Sequence, residues 1–220
     1  MLSTTEENYL KCIYKLQQQA ESGVSTNAIA AHSNIAAASV TDMLKRLSEK
    51  GLIDYIKYKG VSLTAKGEEL ATMLVRKHRL WEVFLADKLQ MKWDEVHEIA
   101  EQLEHIQSPL LVQRLDEFLG FPKFDPHGDP IPDEFGNLSP RTEQVLAELQ
   151  EGDCATIVGV RNHETSFLQY LEKQRLTLGS HICIAEKIVF DNSVVLKRNN
   201  SEVIQISHIV AENLLVNLND

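Results

Sequence analysis

Imidazole and carboxylate side chains recur at helical spacing near the middle of the chain. His97, Glu101, Glu104 and His105 stand at i, i+4, i+7 and i+8. At about 100° per residue they fall within roughly a 100° arc of one helix. Val96, Ile99, Ala100, Leu103 and Ile106 occupy the adjacent arc and read as its inward face. On the preceding segment His78 and Glu82 are i, i+4 neighbours and share a face. Two helices that each present imidazole nitrogen and carboxylate oxygen supply a donor set for a divalent ion with octahedral or near-octahedral preference. Packed together without a cation, the two acidic faces would repel. The same donors could serve a metallohydrolase. The chain has no HExxH, GxSxG or P-loop motif, so it reads as a binding protein and not an enzyme.

A second group of residues suits nucleic acid. In the segment after Asn34, Val40, Leu44 and Leu47 form an apolar stripe. They leave Ala37, Ala38, Ser39, Thr41 and Asp42 near the start of that helix, where a recognition helix reads base edges. Small residues let such a helix sit deep, methyl groups meet thymine, and Asp42 could accept from cytosine N4. Lys45 and Arg46, with Lys57 and Lys59 on the following hairpin, are placed to neutralise phosphates of double-stranded DNA. The net charge of -10 opposes simple nucleic-acid binding, but it is uneven. Residues 1–67 carry 8 basic and 6 acidic groups, and residues 68–140 carry 7 and 15. A first third that tolerates a polyanion thus precedes an acidic middle that attracts cations.

The elements that must hold these groups can be read from caps and periodicity. Ser3-Thr4-Thr5-Glu6 opens a first helix with Tyr9, Leu10, Ile13, Tyr14 and Leu16 as its stripe. Gly23 breaks it, and Ser25-Thr26-Asn27 opens a short second helix around Ile29. The third ends at Gly51, and strands over 52–58 and 61–63 meet at Lys59-Gly60. Three helices and a hairpin are the winged helix-turn-helix order. Thr64 caps a long helix, Asp94 starts another, and Ser108-Pro109 opens a third that ends at Gly120. Their load of Leu, Trp and Phe predicts a dimerisation bundle and hence a homodimer. Residues 122–140 hold five of the six prolines and read as a linker. Beyond them, runs at 155–160, 182–184, 188–190, 194–196 and 203–206, with a short helix around 167–171, predict a small barrel.

The fold class is therefore α+β, mainly α. We divide the chain into a winged helix-turn-helix domain (1–67), a helical metal-binding and dimerisation domain (68–122), a proline-rich linker (123–142) and an SH3-like domain (143–220). With 43% hydrophobic and 25% charged residues the chain is neither disordered nor fibrous. No stretch suits a membrane span, and the N-terminus has no signal-peptide pattern. Cys12, Cys154 and Cys183 are odd in number, far apart and without a CxxC pair. They predict neither a zinc ribbon nor a disulfide framework, and a reducing cytoplasm.

Several stretches resemble the diphtheria toxin repressor and manganese transport regulator family. They are Thr4-Thr5-Glu6-Glu7-Asn8-Tyr9-Leu10, Arg76-Lys77-His78-Arg79-Leu80-Trp81-Glu82, Val96-His97-Glu98 through Glu104-His105, and Gly128-Asp129-Pro130-Ile131-Pro132. The resemblance covers nearly the whole chain, including a C-terminal SH3-like (FeoA-like) domain. It implies a metal-dependent repressor of metal-uptake genes, with operator DNA as partner, a divalent ion as co-repressor and no organic cofactor. It also implies two metal sites. The regulatory site would use Asn8, Glu101, Glu104 and His105. The ancillary site would use His78, Glu82 and His97, completed from the SH3-like domain by His163. Position 8 is methionine in iron-sensing relatives and aspartate in manganese-sensing ones, and Lys11 stands where the paired-manganese site has a carboxylate. An Asn carbonyl, two carboxylates and an imidazole are a hard set that suits Mn²⁺ first and Fe²⁺ next. A winged-helix regulator of an organic ligand is the remaining alternative.

Overall fold

The computed structural model describes residues 2–18, 23–56, 60–140, 142–198 and 202–219. The chain divides into two compact units. The first comprises Met1–His78, Glu101–Val112 and Pro132–Leu138, and the second Arg79–Ala100, Gln113–Ile131 and Ser139–Asp220.

In the first unit, α1 (Thr4–Gln17) begins with the reciprocal cap that its sequence announces. Ser3 Oγ accepts from the Glu6 amide at 3.3 Å, and Glu6 Oε2 accepts from the Ser3 amide at 3.0 Å. The other Glu6 oxygen takes a 2.6 Å ion pair from Lys50. That pair and the Ser3 amide hold the Glu6 carboxyl below its ordinary range. α2 (Thr26–Ser33) is capped by Ser25 and closed by Asn34 in the left-handed conformation. α3 (Ala37–Glu49) buries Val40, Leu44 and Leu47 completely, as their spacing requires. Gly51, at φ +67°, turns the chain into β1 (Ile53–Ile56), which pairs antiparallel with β2 (Gly60–Leu63). Val24 adds a bridge to Val61, tying the segment before α2 to the hairpin.

Three further helices follow: α4 (Ala65–Leu89), α5 (Val96–Leu103) and α6 (Pro109–Leu119). Thr64 and Ser108 cap α4 and α6 as anticipated. α5 is shorter than its apolar stripe predicts. Glu104 and His105 lie in the turn after it, and Ile106, read as inward, is exposed. Within that turn Glu104 is buried. Among the described residues no helix is long and apolar enough to cross a membrane.

The second unit is built on a six-stranded antiparallel sheet of order β3-β8-β4-β5-β6-β7. Its strands are β3 (Gln144–Val145), β4 (Cys154–Val160), β5 (His181–Lys187), β6 (Val194–Arg198), β7 (Glu202–Ile206) and β8 (Leu214–Leu218). α7 (Thr165–Gln174) and the short α8 (His208–Glu212) connect them. Leu146, Ile157, Leu171, Leu196 and Leu214 are fully buried and centre the core. Two expectations are corrected here. Residues 188–190 lie outside the strands, with Val189 and Phe190 almost fully exposed, because the chain turns there through Asp191, whose Oδ1 accepts the Ser193 amide at 2.9 Å, and Asn192 at φ +55°. Cys154 and Cys183 form a disulfide. They are 29 residues apart in sequence, but the β4–β5 register sets them directly opposite. Cys12 remains a free, buried thiol.

One glycine fixes the approach of the proline-rich segment to the sheet. Gly128 has φ +86°, and a Cβ there would lie 2.2 Å from the Val158 carbonyl oxygen. The neighbouring His127 carbonyl accepts from the Val160 amide at 3.0 Å. Gly152, at φ +92°, has nothing within 4 Å of its would-be Cβ. Alanine at either site costs about 1 kcal/mol or more through the positive φ. We expect Gly128→Ala to lower the thermal midpoint well beyond Gly152→Ala. Equal midpoints would show that the loop is not clamped against β4.

Candidate metal clusters and nucleic-acid interface

The exposed face of α3 carries the predicted reading residues. Ala37, Ala38, Ser39, Asp42, Lys45 and Arg46 are exposed, and the buried stripe on the opposite side sets that orientation. The Thr41 hydroxyl donates to the Ala37 carbonyl at 2.9 Å, so it serves its own helix. Asp42 and Lys45 form a loose 3.5 Å pair, open to solvent. Lys57 and Lys59 lie outside the described residues.

In the first unit, the turn after α5 gathers a charged network. Glu104 has no exposed surface. Lys11 Nζ donates to its two carboxylate oxygens at 2.6 and 2.7 Å and also to Glu101 Oε1. His78 Nδ1 lies 2.6 Å from Glu104 Oε2. His105 lies 3.7 Å from Glu104 through Nε2 and 2.6 Å from Glu7 Oε2 through Nδ1. Gln107 donates to the other Glu7 oxygen at 2.6 Å. Burial pushes the half-buried Lys77 ammonium down, and Glu7 and Glu104 act against that. Glu101, Glu104 and His105 are thus brought together, as their spacing predicts. The α1 residues that reach them are Glu7 and Lys11, which are i, i+4 neighbours on one face. Asn8, next round the helix, is exposed. His78 joins this network through Glu104.

The second unit holds a separate cluster. Glu82, Asp125 and His127 are all buried and offer ligand atoms within 4.8 Å of one another. His127 Nδ1 is 3.7 Å from Glu82 Oε2 and 4.0 Å from Asp125 Oδ1. His127 Nε2 donates to the Trp93 carbonyl at 2.8 Å. That bond leaves Nδ1 to face the two carboxylates, the way ligating imidazoles are oriented from behind. Asp125 Oδ1 accepts the His127 and Asp129 amides at 2.8 and 2.9 Å, which bends the loop over its own side chain. Arg79 holds the rim, 3.6 Å from Asp125 and 3.1 Å from Asp129. The predicted His97 sits 3.1 Å from Glu82. His163 is 3.9 Å from Asp129, and its ring centroid is 5.1 Å from that of His127.

Electrostatics mark this cluster as cation-seeking. Burial, together with Glu82 and Asp129, raises the Asp125 carboxyl to about 7. Burial would lower His127, but the hydrogen bond and charge of Glu82, with Asp125, raise it to about 9. A proton on His127 therefore supplies the positive charge that two enclosed carboxylates require. A hard divalent ion would meet the same need with the same nitrogen and oxygen donors, so the residues fit one. Asp125, His127 and Asp129 escape sequence reading because they lie in the proline-rich stretch. Their signal is alternate spacing, Asp-Pro-His-Gly-Asp, just ahead of the buried Ile131.

The fold and these clusters define a winged-helix protein with buried carboxylate–imidazole clusters. The chain belongs to the iron-dependent repressor family. Residues 1–61 match "Iron dependent repressor, N-terminal DNA binding domain", residues 64–133 "Iron dependent repressor, metal binding and dimerisation domain", and residues 144–218 "FeoA domain". The iron-dependent repressor IdeR of Mycobacterium tuberculosis is 34% identical over 131 residues, 60% of this chain. That match spans only 56% of the relative's own length. The diphtheria toxin repressor of Corynebacterium diphtheriae is 28% identical over 92% of each chain. A solved manganese-dependent transcriptional repressor in complex with manganese is 31% identical, with a TM-score of 0.83 over 96% of this chain and 98% of that one. All three relatives are named as repressors, one for iron and one for manganese.

Removing His127 takes away the group that faces both Glu82 and Asp125. Losing one partner of a buried charge group costs about 3–5 kcal/mol. We expect His127→Gln to lower the melting temperature of chelator-treated protein, and a second change, Glu82→Gln, to restore part of the loss. Additive losses in the double variant would mean that the two side chains do not interact.

Proposed function

We propose that the chain is a metal-dependent transcriptional repressor that binds operator DNA as a homodimer in the cytoplasm, with a divalent ion as co-repressor of metal-uptake genes. The observation that carries this reading is one chain holding both an exposed small-residue face on α3 and buried carboxylate–imidazole clusters. Glu82, Asp125 and His127 would hold one ion, with His97, Asp129 and His163 at its rim. Glu101, Glu104 and His105 would hold a second, with Glu7 or Asn8 from α1. When bound, an ion supplies two positive charges that neutralise these carboxylates and fix their directions.

The side chains divide the remaining work. α3 presents Ala37, Ala38 and Ser39 to base edges, while Lys45 and Arg46 hold phosphates. The Glu7 and Lys11 face ties α1, and with it the winged-helix core, to the turn that carries Glu104 and His105. A change in what neutralises that turn is therefore felt by the element that positions α3. A ligand shifts this arrangement only by its differential affinity, typically about 1–3 kcal/mol.

The donor chemistry favours Mn²⁺, with Fe²⁺ next. Both clusters offer oxygen and imidazole nitrogen. Burial pushes the Cys12 thiol up and away from thiolate, and Ser33 is its hydroxyl neighbour at 3.6 Å. A set without thiolate suits hard ions.

The test is gel retardation of promoter DNA from metal-transport genes, titrated with Mn²⁺, Fe²⁺, Co²⁺ and Zn²⁺ under reducing conditions. Retardation that requires an added divalent ion is the expected result, and retardation indifferent to chelator would overturn the reading. Within that assay, Arg46→Ala is expected to weaken binding to all sequences alike and to reduce the salt slope by about 1. Loss of sequence discrimination instead would place Arg46 on base edges.

A further inference from the structure

We propose that the Lys11 ammonium is a built-in counter-ion of the turn after α5. A divalent ion then reaches Glu101 and Glu104 only by displacing Lys11, which sets the concentration at which that site fills. The proposal rests on the metal-dependent reading above and names the residue that tunes it.

Three observations carry it. Lys11 is not a surface lysine: it is 5% exposed and sits on α1 between the buried Leu10 and Cys12. Its nitrogen lies within hydrogen-bond distance of both oxygens of Glu104 and also contacts Glu101. Those are the oxygens a metal would need. Glu104 has no exposed surface, so water does not compensate its charge, and an enclosed carboxylate requires a cation at hand. His78 and His105 approach the same carboxylate, each through one ring nitrogen at one oxygen, whereas Lys11 reaches both.

Lys11 and a divalent ion would compete for the same lone pairs, and two cations seated there together would repel at short range. Metal binding is therefore an exchange: a tethered single charge leaves and a free double charge enters. The tether acts at high effective concentration, because α1 holds the lysine stem in place. Free metal must outcompete it, so the apparent affinity is lower than the donors alone would give. The exchange also changes what ties α1 to the turn. Without metal the tie is the Lys11 ion pair. With metal, the freed ammonium must find water.

The test uses the full chain stripped of metal by chelator. Mn²⁺ binding is measured by calorimetry for wild type, Lys11→Gln, Lys11→Met and Lys11→Arg, the site being identified as the one lost in Glu104→Gln. Lys11→Gln and Lys11→Met are expected to tighten that site about tenfold or more, while Lys11→Arg, which keeps the charge, leaves it weak. A second readout needs no variant at Lys11. Lysine acylation with mass-spectrometric mapping is expected to find Lys11 shielded in metal-free wild type and labelled several-fold faster once Mn²⁺ is added. Equal Mn²⁺ affinity in all four proteins, or Lys11 equally shielded with and without Mn²⁺, would overturn the proposal while leaving metal dependence standing. Failure of every protein to bind Mn²⁺ would overturn the metal reading itself. If the neutral variants do not fold, the labelling of wild type decides.

Discussion

A carboxylate with no exposed surface has to be neutralised from within the protein. Glu104 is such a group, and the first unit is arranged around it. The cost of taking the charge from water is met by Lys11 at both oxygens and by His78 at one. Glu104 lies just past Leu103, where α5 ends. In the turn Glu104 meets Lys11 of α1 and His78 of α4. The demand for an internal cation explains a lysine in the middle of the buried face of α1, where Tyr9, Leu10 and Ile13 would otherwise predict another apolar residue.

The second unit meets the same constraint with different means. Glu82 and Asp125 are buried together, and the cation at hand is the imidazole of His127, raised to about 9 by its carboxylate neighbours. Its position depends on backbone: Trp93 accepts from Nε2, Asp125 bends the loop through two amides, and Gly128 lets that loop lie against β4. The two clusters differ in how easily their cation leaves. A proton departs from His127 in place, whereas Lys11 must swing away with its whole side chain. The same class of ion would thus meet a deprotonation cost in one cluster and a displacement cost in the other.

Much of this was legible in the sequence, for identifiable reasons. The caps at Ser3, Ser25, Thr64 and Ser108 and the Val40, Leu44, Leu47 stripe are local signals, and local signals survive folding. The pairing of Glu101 with Glu104 and His105 was legible because helical spacing keeps neighbours together even when the last two fall in a turn. What escaped was non-local or phase-dependent. A strand register put Cys154 opposite Cys183, which no spacing rule reveals. A single step of about 100° separates Asn8 from Glu7, and the contact of Glu7 with His105 is one that helical spacing on α1 alone does not reveal. The Asp125, His127 and Asp129 donors hid in a stretch whose prolines and glycines read as a linker, although Ile131 within it is buried. Prolines there restrict the backbone that aims the donors.

The charge distribution along the chain follows from the same physics. The excess of acidic over basic groups is concentrated in residues 68–140, which supply Glu82, Glu101, Glu104, Asp125 and Asp129. Carboxylates that share one cluster raise one another's cost, as the upward shift of Asp125 beside Glu82 and Asp129 records. Cations that relieve this cost come from two sources. Lys11, Arg79 and the histidines are supplied by the chain, and ions are supplied by the solution. Each internal cation lowers the gain from an external one. The sensitivity of such a protein to metal is therefore a difference between two neutralisations, and it is set as much by its lysine, arginine and histidines as by its carboxylates.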